Sequence, residues 1–247
     1  MVFYRAEPGA FAVQRLAPFG CVNRFTDEAA LLKLRLWLAT NTHPTNLELM
    51  FEELLPPYMK IEYRRISPQE FSLLAPDLVS IYLDAMDYPR TMRNSRVNAW
   101  RRDIFHPGFT AIIAVAGDTI IGLAYGFLGY RGYWWDNHLR AFLEQAGSTS
   151  EHRAKLASYV ELAELHVLPQ LQGHGVGKQL LLQLAWNLPA KYLLLSTPEV
   201  PDEANRAFGL YRSLGFQDLA RHVHYPGDQR AYAILAAPLP LEASTNQ

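Results

Sequence analysis

Cysteine is almost absent from this chain: Cys21 is the only one in 247 residues. That excludes an internal disulfide and a multi-cysteine zinc site, and it suits a reducing compartment. Charge of one sign is lacking too. Lysine and arginine number 23 against 24 aspartates and glutamates, a formal net charge of -1. No electrostatic excess draws the chain to nucleic acid or to an anionic membrane, and neither is expected as a partner. Long apolar runs are missing as well. The longest, Phe109 to Leu128, is broken at Gly117-Asp118, and each half is too short to span a bilayer as a helix. It reads as two strands joined by a Gly-Asp turn. The first residues, Met1 to Val13, lack the basic start and unbroken apolar stretch of a secretory signal. A soluble, cytoplasmic protein is expected.

What is present supports a sizeable core, since hydrophobic residues make up 49% and charged residues 19%. The texture changes near residue 58. Before it, Thr26 suits the cap of a helix from Asp27 to Ala39, and a short helical stretch, Leu47 to Leu55, runs into Pro56-Pro57. This divides the chain into a helical extension (1–58), a main domain (59–241) and a flexible tail (242–247). In the main domain Lys60 to Ile66 reads as a strand. Ser67-Pro68-Gln69-Glu70 then reads as a cap, a first-position proline and a capping acid. Helix is expected to Leu74, with a restart at Pro76 and an end at Tyr88-Pro89. A helix from Thr91 to Phe105 precedes the two strands already noted. Trp134 to Ala146 has helical spacing, and Ser148 to Lys155 reads as a polar loop. Strands at Tyr159–Val167, Tyr192–Thr197, Phe216–Val223 and Arg230–Ala236 interleave with helices at Val176–Leu188 and Ala204–Leu214. The order predicts an α/β (α+β) fold, a mixed sheet with helices on both faces.

Two local features carry information about function. In Tyr159–Val167, Val160 and Leu162 share one parity while Leu165 and Val167 share the other. One apolar face survives only if an extra residue is absorbed, so a bulge is expected near Ala163-Glu164. The second feature is Gln172-Gly173-His174-Gly175-Val176-Gly177-Lys178, placed between a strand and a helix. Glycines there let a ligand approach the backbone, and the unpaired N–H groups of a helix start favour phosphate. The P-loop pattern fails, because Gln172 and Gln179 stand where glycine and Ser/Thr are required. The dinucleotide pattern fails at Lys178 and Leu180. On spacing alone, a tight turn without a ligand is an equal reading.

These residues resemble the GNAT superfamily of N-acetyltransferases, whose acetyl-CoA motif Gln/Arg-x-x-Gly-x-Gly/Ala is met by Gln172, Gly175 and Gly177. A second motif follows in order, Asn205-Arg206-Ala207 and then Leu210-Tyr211 to Leu214-Gly215-Phe216. The resemblance spans roughly Met59 to Leu241. It implies a twisted sheet of about seven strands that splays open between the fourth and fifth, with acetyl-CoA in the wedge as co-substrate and no metal. It further implies that the backbone at Leu165, His166 and Val167 pairs with the pantetheine arm. Gly173, His174, Gly175, Val176, Gly177 and Lys178 would hold the pyrophosphate, and Asn205 would line the cofactor side.

The implied chemistry is acetyl transfer to an amine acceptor, a small molecule or a protein amine. A lysine-like amine has a pKa of ~10.4 and so needs a base at neutral pH. Glu161 is the first candidate and Glu164 the rival, against a reading of both as ordinary polar-face strand residues. Tyr211 matches the family tyrosine that protonates the leaving thiolate, although Ala207, Phe208, Tyr211 and Leu214 also form a packing stripe. With Cys21 outside the matched region, direct attack in a ternary complex is expected rather than a covalent intermediate. A non-catalytic acyl-CoA-binding or sensing module is the alternative, and a homodimer is allowed. His222 and His224 lack an evident third metal ligand. The arginines from Arg90 to Arg102 read as a solvated face. Tyr130, Tyr133, Trp134 and Trp135 read either as the wall of an acceptor pocket or as core cover.

Overall fold

The computed structural model describes residues 60–241. The extension expected before residue 59, with its helices, and the tail at 242–247 lie outside the described residues. The elements are β1 (Ile61–Ile66), α1 (Pro68–Met86), a 3-10 turn (Arg90–Met92), α2 (Arg93–Asp103), β2 (Thr110–Ala116), β3 (Thr119–Leu128), α3 (Trp134–Gln145), α4 (Ser150–Lys155), β4 (Tyr159–Val167), α5 (Val176–Ala185), β5 (Tyr192–Pro198), α6 (Arg206–Ser213), β6 (Gln217–His224) and β7 (Ala231–Pro238). The strands form one seven-stranded sheet in the order β1-β2-β3-β4-β5-β7-β6. Every neighbouring pair is antiparallel except β4 with β5.

Alternation along the strands feeds different cores on the two faces. Ala124 of β3 packs with Leu180, Leu181 and Leu184 of α5 and with Phe208 and Tyr211 of α6. Its neighbour Tyr125 packs with Phe71 and Leu78 of α1 and Trp100 of α2. Farther along the sheet, α3 buries Trp135, Leu139 and Leu143 against Leu194, Ile234 and Tyr232. No helix among the described residues is long and apolar enough to cross a membrane.

The bulge expected in β4 is present. Tyr125 faces Glu164 and Gly126 faces Leu162, which leaves Ala163 as the extra residue. As a result Val160, Leu162, Leu165 and Val167 all pack on the α5 side, while Ala163 packs with the α1–α2 core. Parallel pairing of β4 with β5 is confined to Tyr159, Val160 and Glu161 against Tyr192, Leu193 and Leu194. Beyond Glu161 the two strands are no longer paired.

Three expectations require correction. Pro76 does not interrupt α1, which runs unbroken from Pro68 to Met86. Proline removes the hydrogen bond normally given to the carbonyl four residues back. Here that carbonyl, Ser72, accepts instead from Arg101 Nε at 3.1 Å. Ser148–Lys155 is not all loop, because Ser150–Lys155 is helical behind a reciprocal cap. Thr149 Oγ1 accepts from the His152 N–H at 3.1 Å, and the Thr149 N–H donates to His152 Nδ1 at 3.3 Å. Histidine takes the place usually held by Glu or Gln, which hides the signature. The arginines of α2 are not a plain solvated face. Arg93 bonds the Pro76 carbonyl at 3.0 Å, and Arg96 is buried over the Tyr82 ring.

Gly126 is the partner the bulge requires, since a Cβ there would collide with the Glu161 backbone carbonyl. Backbone cannot yield as a side-chain tip can. Gly126→Ala is expected to lower the unfolding free energy by about 2 kcal/mol or more, read from urea denaturation midpoints.

Candidate active site

Parting of β4 from β5 opens two adjoining cavities. The larger, about 510 Å³, lies between the end of β4, the glycine loop and the start of α6. Leu165, His166, Val167, Gln172, Gly173, Gly175, Gly177, Lys178, Asn205 and Tyr211 all line it. Ten residues singled out in the sequence are thus brought together from three stretches of the chain. Two others stand apart. His174 is exposed and turns Nδ1 to the Gln172 carbonyl at 3.1 Å. Val176 is buried in the α5-side core.

The local folding of this rim follows from residue type. Gly173 and Gly175 have φ of 87° and 81°, left-handed conformations that strain other residues. Gly175 is the N-cap of α5, no side chain caps that helix, and no acid occupies its first turn. The helix start therefore presents N–H groups and a positive dipole end to the cavity. Lys178 and Arg206 add two cations, and neither is ion-paired among the described residues. A Cβ on Gly173 would lie 3.6 Å from the Arg206 guanidinium, so the loop and α6 approach closely here. Gln172 locks the loop to the strand by donating Nε2 to the Val167 carbonyl at 3.1 Å. Asn205 caps α6, accepting from the Phe208 N–H at 2.8 Å.

The smaller cavity, about 220 Å³, sits deeper in the wedge and is lined by Glu164, His166, Ser196, Thr197 and Tyr211 among others. Glu164 is buried, with Oε2 2.6 Å from His166 Nε2. Burial is the largest influence and would raise its carboxyl, but the hydrogen bond from His166 and nearby positive charge, Arg96 included, together outweigh it and hold the group below the ordinary range. Glu161 lines neither cavity. Its side chain is buried where the strands still pair, its Oε1 has no partner, and burial pushes the carboxyl up to about 8. Tyr211 lines both cavities. Burial, and next the charge of Glu164, raise its hydroxyl well above the usual tyrosine range, so it stays a proton donor at neutral pH.

A family profile described as "Acetyltransferase (GNAT) domain" matches residues 107–218. A Mycobacterium tuberculosis protein named GCN5-like protein acetyltransferase is 38% identical over 199 residues, covering 71% of this chain and 97% of that protein. The chain belongs to the GNAT acetyltransferase family. It is accordingly an acetyltransferase, of a family that uses acetyl-CoA. Among solved structures, a GNAT-family acetyltransferase from Desulfovibrio desulfuricans matches with a TM-score of 0.51 at 14% identity, over 72% of this chain and 99% of its own. A Salmonella typhimurium acetyltransferase described with its cofactor acetyl-CoA matches with a TM-score of 0.49 at 15% identity, over 76% and 98%.

Several residues at this GNAT site carried no sequence signal as site residues. Arg206 was visible only as part of the second motif. Asp103 and His106, from the end of α2 and the turn after it, line neither cavity. Asp103 is buried and accepts from the Tyr125 hydroxyl at 2.9 Å; burial raises its carboxyl to about 6 despite that bond. Of the four aromatics expected as pocket wall or core cover, Trp135 is core, its Nε1 donating to the Tyr225 hydroxyl at 2.9 Å. Tyr133 instead stacks on His106 at 4.3 Å. His222 does not approach a metal cluster; its Nδ1 lies 2.8 Å from Glu199 Oε2.

The raised Glu161 carboxyl has a measurable consequence. Between the ordinary value of 4.5 and about 8, the folded protein holds a proton that the unfolded chain releases. Stability therefore falls as pH rises through that window. Glu161→Gln removes this contribution. The variant's melting temperature, compared with the parent's, is expected to improve steadily from pH 5 to pH 8.

Proposed function

We propose that this enzyme is an N-acetyltransferase that moves the acetyl group of acetyl-CoA directly to an amine in a ternary complex. The observation that carries the reading is the placement of Glu164 and Tyr211 on one 220 Å³ cavity at the inner end of the glycine-lined cleft. Family membership supports acetyl-CoA as the donor. The open edge of β4 at Leu165–Val167 suits the pantetheine arm, and the α5 start with Lys178 and Arg206 suits the pyrophosphate. His174 and Val176 would then contribute backbone rather than side chain.

In the proposed reaction the amine nitrogen attacks the thioester carbonyl carbon while Glu164 takes the amine proton. The carbon–sulfur bond breaks and Tyr211 protonates the departing thiolate. Glu164 suits the base because it is held ionised by His166 and lines the cavity. Glu161, first in sequence order of preference, lines neither cavity and is protonated over much of the neutral range. No cysteine falls within residues 60–241, which supports direct transfer. A cytoplasmic site of action fits the lone cysteine. A protein amine is one acceptor class in keeping with the name of the M. tuberculosis relative. A binding module without activity is the weaker reading in a family of acetyltransferases.

Tyr211→Phe is expected to cut kcat about tenfold or more while leaving acetyl-CoA affinity unchanged. Glu164→Gln should lower kcat by about 10²–10⁴. Both are followed by thiol release. Turnover unchanged in both variants would remove this assignment. Cys21→Ser should retain full activity, and initial-velocity plots should intersect; parallel lines would point to a covalent route.

A further inference from the structure

The loop from β5 to α6 is strained and firmly held. Asp202 and Glu203 stand one after the other at φ 51° and 54°. Left-handed backbone is costly for residues with a Cβ, and two in a row persist only where the surroundings fix them. Here the fixing group is the Glu203 carboxylate. Its Oε2 accepts from Arg212 Nε at 2.9 Å, and its Oε1 accepts from Arg212 Nη2 at 2.5 Å and from Arg221 Nη1 at 2.7 Å. The Arg212 pair is a fork, the geometry in which guanidinium and carboxylate match best. Arg221 Nε in turn donates to Glu199 Oε1 at 2.8 Å, at the start of the same loop. Asp218 completes the cluster, with Oδ1 2.5 Å from Arg212 Nη2.

This cluster is built into the fold. Asp218 and Arg221 differ in parity and would point to opposite faces of a regular strand. The register of β6 breaks between Asp218 and Ala220, and the two side chains meet at 3.4 Å. Arg212 and Arg221 also lie over the Phe208 ring, at 5.8 and 5.5 Å, and Phe208 is wholly buried. The cluster thus ties the loop to α6 and β6. Hydrogen bonds from Arg212 and then Arg221 hold the Glu203 carboxyl down at about 2, so it stays ionised throughout the neutral range. Isolated exposed ion pairs stabilise a fold little, whereas a forked and shared network fixes geometry.

That geometry is delivered to the cleft. Glu203, Arg212 and Arg221 line neither cavity, whereas Asn205 lines both and Arg206 lines the larger. The Glu203 carbonyl accepts from the Asn205 N–H at 2.7 Å. Relaxing the left-handed turn would therefore move Asn205 and Arg206 relative to the glycine loop, where Arg206 now stands close to Gly173.

We propose that Glu203 is a positioning residue for the acetyl donor: pinned by Arg212 and Arg221, it sets the β5–α6 loop so that Arg206 meets the pyrophosphate of acetyl-CoA. The proposal rests on the reading of the larger cavity as the acetyl-CoA site.

The test is calorimetric titration of the full chain with acetyl-CoA and with S-acetylpantetheine, the same thioester without the pyrophosphate. Glu203→Gln is expected to raise the Kd for acetyl-CoA about tenfold, the scale of one hydrogen bond to a charged group, and to leave that for S-acetylpantetheine within about twofold. Arg221→Gln, which reaches the loop through Glu203 and Glu199, should raise the acetyl-CoA Kd about threefold, the scale of an exposed ion pair. In an Arg206→Ala background, Glu203→Gln should change that Kd by less than about twofold, because both act on one contact. Melting curves establish that the variants are folded. An acetyl-CoA Kd unchanged in folded Glu203→Gln and Arg221→Gln would overturn the proposal alone. So would an equal loss for S-acetylpantetheine, or an undiminished effect of Glu203→Gln without Arg206. An Arg206→Ala chain that binds acetyl-CoA as the parent does would overturn the placement of Arg206 on the phosphates, and the proposal with it. A parent chain that does not bind acetyl-CoA would overturn the reading of the larger cavity itself.

Discussion

One extra residue in β4 sets the geometry on which the site depends. Ala163 is the extra residue between the register pairs Tyr125–Glu164 and Gly126–Leu162, and absorbing it lets Leu165 and Val167 return to the face already chosen by Val160 and Leu162. Without it those two side chains would leave the α5-side core and the polar partners would exchange faces with them. Parallel pairing with β5 ends two residues earlier, at Glu161. The sheet is therefore continuous where Tyr159 to Glu161 bridge its halves and open beyond. Both cavities occupy that opening. The bulge also places Glu164 and His166 on the side away from α5, where they bond each other beside the smaller cavity.

The two ends of the wedge differ in charge, and that difference organises the chemistry. At the outer end, a helix start without a side-chain cap and two cations with no ion pair among the described residues favour an anion. At the inner end, Glu164 and Tyr211 line the smaller cavity. Burial acts on the carboxylates unequally. Glu164 has a histidine partner and stays ionised, whereas Glu161 lacks one and holds its proton near neutrality. Identical side chains three residues apart thereby differ in how readily they ionise.

Much of the frame is legible in the sequence because it depends on local periodicity and local turn chemistry. Parity along Tyr159–Val167 locates the bulge, Ser67-Pro68 and Glu70 locate the start of α1, and Gly117-Asp118 locates the β2–β3 turn. The misreadings have a common origin in partners distant along the chain. Pro76 looks like a helix break until Arg101 supplies the hydrogen bond that Ser72 has lost. The α2 arginines look solvated until α1 provides their carbonyl and aromatic partners. Thr149–His152 is a local cap, but with an uncommon residue in the reciprocal position.

The sequence by itself determined the family, the glycine loop and many of the residues on the larger cavity, because these are short motifs whose conformations follow from residue type. It put Glu161 ahead of Glu164 and gave no sign that Asp103 is buried against Tyr125. Those outcomes turn on burial and on cross-strand neighbours, which exist only after β3, β4 and α2 have packed. The tertiary structure decided which carboxylate faces the cavity and which one holds its proton. Burial sets the energy of a charge, and burial is a property of the whole fold.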